Sequence, residues 1–151
     1  ARGIGSYVIS SVIEECQNNV SKLEKHLMIK AFPYEDKGRN DYQKLVTTYR
    51  EGIFKNAGIA IFMFGNKISD EGVILTDGVY QEFEIAKKFN AYIIPIGSTG
   101  YMAKKIWDEI SLNIDNYPYL KAEESVLRES IEPEKVIHSI LQILARIQKD
   151  F

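Results

Sequence analysis

The residues best suited to chemistry follow an apolar run in the middle of the chain. Residues 58–64 are rich in isoleucine and phenylalanine, and Gly65, Asn66 and Lys67 come directly after them. Backbone N–H groups of a glycine turn, an asparagine amide and a lysine cation suit the binding of a phosphate or diphosphate. We therefore interpret this turn as part of a phosphate site, although a loop lysine is often no more than a solvated side chain.

A predicted helix start lies a short distance further along. Gly78 opens a segment that has helical spacing through residue 89, and the positive end of a helix dipole favours an anion. Glu82, one turn into this helix, cannot bind phosphate, but its carboxylate can accept hydrogen bonds from ribose hydroxyls or from an adenine amine. Tyr80 could stack on a base. A first-turn acid also stabilises its own helix, so Glu82 has a purely structural explanation as well.

Two further segments are expected at the same place. Arg50 lies in a predicted helix over residues 41–56, and it would add a bidentate phosphate clamp if the end of that helix faces the site. The alternative is a solvated arginine on a helix surface. The small-residue turn Gly97–Gly100 ends the apolar run 92–97 at the same edge of the sheet, and we include Gly97 and Ser98 among the ligand-binding candidates.

The chain begins with another glycine-bearing segment. Ala1, Arg2, Gly3 and Gly5 precede apolar residues at helical spacing, and Ser6 is a candidate helix N-cap. Glycines at the entry to a helix form half of a phosphate-binding signature. A glycine-rich cap on a surface helix explains the pattern equally well. The strand that should precede such a loop is missing from this sequence, so we expect it upstream.

Strands and helices alternate along the chain, and this order predicts the fold. Apolar runs predict strands over residues 26–32, 58–64 and 92–97. Apolar periodicity predicts helices over residues 41–56, 78–89, 102–110 and 134–149. We read residues 33–40 and 66–77 as loops, and 113–122 as a loop with a short helical turn. Short connections between such elements are typical of an α/β fold with a doubly wound, mainly parallel sheet. Open sheets of this kind bind ligands at the carboxyl ends of their strands, where the candidate residues would meet.

The composition argues against several classes of protein. A formal net charge of -2 argues against a general nucleic-acid binder. Cys16, His26 and His138 are too few for a disulfide framework or a zinc cluster. No apolar run approaches the ~20 residues that span a bilayer. We therefore expect a cytoplasmic protein with no cofactor and no membrane or nucleic-acid partner. Ser98 and Thr99 have no nearby histidine or cysteine, so we expect no catalytic residues either.

These motifs resemble a known family. Residues 49–67 (YREGIFKNAGIAIFMFGNK) and 78–100 (GVYQEFEIAKKFNAYIIPIGSTG) are similar to SLOG domains, Rossmann-like sensing domains related to the LOG and DprA families. Within that group the chain resembles the C-terminal domains of Thoeris antiphage effectors. The resemblance covers nearly all of residues 1–151 and is most specific in the middle. It implies a single SLOG domain, with the first strand of the fold lying outside this chain.

The resemblance also implies a function. In such effectors an upstream sirtuin-like domain hydrolyses NAD, and the SLOG domain binds a cyclic ADP-ribose isomer, a second messenger made by a TIR-domain protein. The expected partners are this messenger and further copies of the chain, as a SLOG dimer and a full-length tetramer. The family's ligand-binding Arg, Lys and Glu fall on Arg50, Lys67 and Glu82, and its glycine loop falls on residues 1–5.

Enzymes of the same fold, which cleave nucleotide N-glycosidic bonds, carry a PGGxGTxxE motif. Residues 77–82 here read DGVYQE and keep one glycine and Glu82, which favours sensing over hydrolysis. Two alternatives remain. One is a nucleotide hydrolase or transferase of the LOG type that uses Glu82, and the other is a plain oligomerisation module with the last helix as its interface.

Overall fold

The structure is a computed structural model that describes residues 4–16, 19–30, 32–33, 38–70 and 72–150. They divide into two compact units, Ala1–Val46 and Thr47–Phe151. Helix α3 (Tyr42–Phe54) begins in the first unit and ends in the second. Its presence confirms the helix predicted over residues 41–56.

The described part of the first unit contains helices α1 (Ile4–Glu15) and α2 (Val20–His26) besides the start of α3. Because α1 already includes Ser6, the N-cap predicted for that residue is wrong. The strand predicted over residues 26–32 is also wrong in its described part, since His26 ends α2 and residues 27–30 form no strand. Met28 and Ile29 are 82% and 62% exposed, so this apolar segment has no buried face of the kind a core strand needs.

The second unit carries the α/β architecture. After α3 its elements are β1 (Ile59–Phe62), β2 (Asn66–Ser69), β3 (Gly72–Leu75), α4 (Asp77–Lys88), β4 (Tyr92–Pro95), α5 (Tyr101–Ser111), α6 (Glu124–Glu129) and α7 (Pro133–Ile147). The predicted strands 58–64 and 92–97, and the predicted helices 78–89, 102–110 and 134–149, are therefore confirmed with small shifts of their ends. Short 3-10 turns at Ile114–Asn116 and Pro118–Glu123 occupy the segment predicted as a loop with a helical turn.

Strands β1 and β4 form a parallel pair, with Ile59 opposite Tyr92 and Phe62 opposite Pro95. The crossover between them contains α4, which gives the βαβ unit expected of a parallel sheet. Trp107 of α5, Phe83 of α4 and Ile143 of α7 are fully buried around this pair, as are both isoleucines of β4. The predicted α/β fold with a parallel sheet is thus confirmed, and it is consistent with a Rossmann-like topology. No helix in the described ranges is long and apolar enough to cross a bilayer.

Residues 66–75, predicted as a loop, instead form an antiparallel hairpin of β2 and β3. Lys67 lies opposite Ile74, and Ile68 lies opposite Val73. The chain reverses next to Gly72, whose φ of 105° is in the left-handed region that favours glycine. Ile68 and Val73 are 81% and 55% exposed, so the hairpin has no buried face whose alternation would have identified it.

Tyr119 forms hydrogen bonds with the backbone near the amino-terminal end of β4. Its hydroxyl accepts a hydrogen bond from the Ile93 N–H at 2.9 Å and donates to the Ile93 carbonyl at 3.1 Å. Burial raises the pKa of Tyr119 to about 12. The bond that the hydroxyl donates to the Ile93 carbonyl needs the protonated phenol, so Tyr119 keeps both of its hydrogen bonds to β4 up to strongly alkaline pH.

We expect Tyr119→Phe to lower the free energy of unfolding at pH 7 by ~1–2 kcal/mol, because the N–H and the carbonyl of Ile93 both lose their hydrogen-bond partner. The unfolded chain releases this proton near pH 10 and the native protein only near 12. The contribution of Tyr119 is therefore complete below pH 10 and is lost as pH rises towards 12. Between pH 7 and pH 11 the free energy of unfolding, measured with urea, should fall less for the variant than for the wild type. Equal losses would contradict this assignment.

Candidate ligand site

The candidate site is built around the turn that follows β1. Phe64 and Gly65 both lie in the left-handed region, with φ of 56° and 88°. A Cβ atom on Gly65 would lie 2.6 Å from the Met102 Cβ and 3.3 Å from a Val79 methyl. Only glycine fits here, because both the backbone conformation and the close packing of α4 and α5 exclude a side chain.

The same turn is joined to the start of α4. The Gly65 carbonyl accepts a hydrogen bond from the Thr76 N–H at 2.9 Å, and Asn66 pairs with Leu75 across the hairpin. Thr76 directly precedes α4, so Gly65 and Asn66 lie beside the first turn of that helix, which contains Gly78. The structure therefore brings together three of the residues predicted from sequence to bind a phosphate.

Arg50 is buried at this helix start. The residue is only 7% exposed, and its Nε donates to Glu82 Oε1 at 3.3 Å. Nη1 donates to the side-chain oxygen of Gln81, and a Cβ atom on Gly78 would lie 2.6 Å from Nη2. Arginines are rarely buried unless they are paired. The alternative of a solvated arginine is therefore wrong for Arg50, which lies against the first two turns of α4.

Glu82 is the acidic partner of this arginine. Burial raises the pKa of the Glu82 carboxyl above its ordinary value, and the charge and hydrogen bond of Arg50 oppose that rise. About a third of the Glu82 side chain, 35%, remains exposed. A carboxylate can accept several hydrogen bonds, so Glu82 can hold Arg50 and also accept from a ligand hydroxyl.

Lys67 lies one residue beyond Asn66 on β2 and is exposed. Within the described ranges it forms no ion pair. Its charge is therefore available to an anion that approaches the hairpin.

Tyr80 is placed in the contact between α4 and α5. Its hydroxyl donates to Glu109 Oε2 at 2.8 Å, its ring packs on Phe83, and the Lys105 ammonium lies 5.0 Å from the ring centre. These contacts engage both the hydroxyl and the ring of Tyr80, and its predicted stacking on a base gains no support from this arrangement.

Gly97 and Ser98 follow β4 and have different surroundings. Gly97 is buried, and a Cβ atom there would lie 2.8 Å from Cβ and Cγ of Trp107, so core packing accounts for this glycine. Ser98 lines an apolar cavity of about 460 Å³ together with Phe64 and residues of α7. Of the remaining candidates, Gly5 is a helical residue of α1 in the first unit, and Ala1, Arg2 and Gly3 lie outside the described residues.

Two residues next to the site were not predicted. Gln81 holds the Arg50 guanidinium, and Thr99 accepts a hydrogen bond from the Phe64 N–H. Gln81 directly precedes Glu82, so its position on the helix was a possible signal. The contact of Thr99 joins residues 35 apart in sequence, and no local pattern indicates it.

The arrangement suits recognition of an anion and a hydroxyl group. It combines a buried guanidinium, an exposed lysine, a glycine-bearing turn and a helix start with one half-buried carboxylate. The described residues contain no group of histidine, cysteine and acidic side chains that could hold a metal ion. These groups suit the binding of a phosphate that lies next to a hydroxyl group.

Comparison with known proteins identifies the family. The model of the Sir2- and TIR-associating SLOG family matches residues 1–147. The chain belongs to this SLOG family. It is also 32% identical over 149 residues to the NAD(+) hydrolase ThsA of Bacillus cereus (strain MSX-D12), covering 94% of this chain and 30% of that protein.

Two further relatives, also named NAD(+) hydrolase ThsA, are similarly related to this SLOG chain. The protein of Acinetobacter baumannii (strain 532279) is 31% identical over 96% of the chain and 33% of its own length. The protein of Cytobacillus dafuensis is 32% identical over 97% of the chain and 31% of its own length. The chain thus spans about a third of the length of these relatives.

Replacement of Gly78 tests the placement of Arg50. We expect Gly78→Ala to lower the free energy of unfolding by ~1–3 kcal/mol, because the new methyl group displaces a buried, hydrogen-bonded guanidinium. Gly52→Ala is the matched control, since Gly52 is also helical and a Cβ atom there meets nothing within 4 Å. The control should be neutral or slightly stabilising. Equal urea midpoints for the two variants would show that Arg50 does not occupy this position.

Proposed function

We propose that the chain is a regulatory sensor domain that binds a cyclic ADP-ribose-type nucleotide. Arg50 and Lys67 bind the diphosphate, and Glu82 accepts a hydrogen bond from a ribose hydroxyl. The observation that carries this proposal is the burial of Arg50 against the start of α4, beside the turn of Gly65 and Asn66. A buried cation held in a fixed orientation loses little entropy when an anion binds to it.

The charges fit such a ligand. A diphosphate is attracted by Arg50, by Lys67 and by the N–H groups at the start of α4, whereas the carboxylate of Glu82 repels it. Glu82 therefore contacts a neutral part of the ligand, and the hydroxyls of a ribose are the natural donors. A nucleotide in which ribose and diphosphate are close together places both kinds of group within one small site.

The effector is proposed from the family. The family is named for its association with Sir2 and TIR domains, and the relatives are named NAD(+) hydrolases. We infer that the full-length protein hydrolyses NAD through a separate domain in antiphage defence, and that a TIR-domain protein supplies the messenger. The ligand switches the effector by binding one assembly state more tightly than another, since only differential affinity shifts a population.

Self-association is part of this proposal. Ile137 and Leu141 lie one turn apart on α7 and are 56% and 57% exposed. Ile131, just before α7, is 90% exposed. Exposed apolar side chains grouped in this way favour contact with another chain, and we propose that SLOG domains pair to form a dimer within a larger oligomer of the full-length, cytoplasmic protein.

Calorimetric titration with cyclic ADP-ribose isomers, ADP-ribose and NAD tests the function. We expect one cyclic isomer to bind tightly and to be recovered intact from the mixture. Recovery of a cleaved ligand would show that the chain is a hydrolase and not a sensor, and Glu82 would be the first residue to examine. A stable dimer that binds none of the nucleotides would leave only an oligomerisation module.

Two substitutions test the residues. Arg50→Ala and Lys67→Ala should each weaken binding of that isomer by ~1.5–3 kcal/mol, the scale of a hydrogen bond to a charged group. Lys135→Ala on α7 and Arg128→Ala on α6 are the matched controls, since they remove a lysine and an arginine from exposed ion pairs. Both should leave the affinity for the ligand unchanged. Since Arg50 is buried, circular dichroism must show that its variant is folded. Unchanged affinity in the two site variants would refute the assignment of the site.

A further inference from the structure

A single hydroxyl links the ends of the two parallel strands. Thr99 Oγ1 accepts a hydrogen bond from the Phe64 N–H at 2.8 Å, just after β1. The same oxygen donates to the Ile96 carbonyl at 2.7 Å, just after β4. Thr99 therefore uses both its donor and its acceptor capacity to hold one end of the sheet together.

The residue that Thr99 holds is in an unfavourable backbone conformation. Phe64 has a φ of 56°, which few residues with a side chain adopt. Phe64 is 42% exposed, so burial of its side chain does not account for that conformation. Its two backbone groups are both bound, the N–H by Thr99 and the carbonyl by the Ala103 N–H at 2.9 Å. Strained residues persist where their surroundings over-determine them.

The conformation of Phe64 sets the position of the residues that follow. Gly65 is packed between Met102 and Val79, and its carbonyl accepts from the Thr76 N–H. Asn66 and Lys67 then begin the hairpin. A change of φ at Phe64 would re-aim these residues with respect to the start of α4, where Arg50 is held.

We propose that Thr99 is a positioning residue of the nucleotide site, which acts by fixing the turn at Phe64 and thereby placing Lys67. This inference rests on the proposed function. Thr99 itself needs no contact with the ligand. Its hydroxyl is the essential group, because a valine would fill the same volume but leave the Phe64 N–H without its acceptor.

Calorimetric titration of three proteins tests this role, with the cyclic ADP-ribose isomer that the wild type binds most tightly as the probe. Thr99→Val should lower affinity by about tenfold, the effect of one backbone group losing its partner. Thr99→Ser keeps the hydroxyl and should bind within about threefold of the wild type. In the Lys67→Ala background, Thr99→Val should cost less than about threefold, since residues that act through one another are not additive.

Tyr119→Phe is the matched control, because it also removes a hydroxyl that bridges two backbone groups, but at the other end of β4. It should lower stability without changing affinity. If the wild type binds no nucleotide, the proposed function is wrong, and the positioning role of Thr99 is wrong with it. If the wild type binds and Thr99→Val loses no more affinity than Tyr119→Phe, or loses the same factor with and without Lys67, the positioning role is wrong.

Discussion

The site depends on one physical constraint, the burial of the Arg50 cation. Moving a charge out of water is costly unless partners replace the lost hydration. Here Glu82 supplies the opposite charge and Gln81 supplies a further acceptor, both from α4. Gly78 supplies the space, since any side chain there would meet the guanidinium. The contacts of Gly78, Gln81 and Glu82 therefore meet the need to hold this arginine, and α3 and α4 are joined through it.

A second constraint concerns the edge of the sheet at which this arginine is held. The chain must leave β1, turn sharply and enter the hairpin beside α4, in a space that is already occupied by Met102 and Val79. Two consecutive left-handed residues accomplish this turn, and one of them is a phenylalanine. The bonds from Thr99 and Ala103 offset the strain at Phe64. Backbone strain, close packing and the candidate site thus coincide, as is common where a fold is shaped for recognition.

The sequence predicted the parts of the fold that depend on burial. The apolar runs of β1 and β4 and the periodic helices α4, α5 and α7 were identified because their side chains are sorted between core and solvent. The hairpin was missed because Ile68 and Val73 are exposed on it. The strand predicted over residues 26–32 was wrong in its described part, because the apolar residues Met28 and Ile29 are exposed and do not face a core.

The site was predictable to a similar extent. Glycine, asparagine, lysine and a helix start are local signals, and the structure brings Gly65, Asn66 and Gly78 together. The burial of Arg50 was not predictable from periodicity, because its contacts with α4 join residues about 30 apart. The resemblance to SLOG domains identified Arg50 as a ligand residue, but it did not indicate Gln81 or Thr99. Ligand contacts of all these residues stay predictions.

Hydrogen exchange of the protein with and without the cyclic ADP-ribose isomers tests the central claim most directly. If the turn after β1 and the start of α4 bind the nucleotide, peptides that cover residues 64–67 and 77–82 should become protected, because their amides are ordered by the ligand. Peptides from residues 113–122, beyond α5, should exchange as before. Binding that leaves residues 64–82 unchanged and protects another segment would contradict the account.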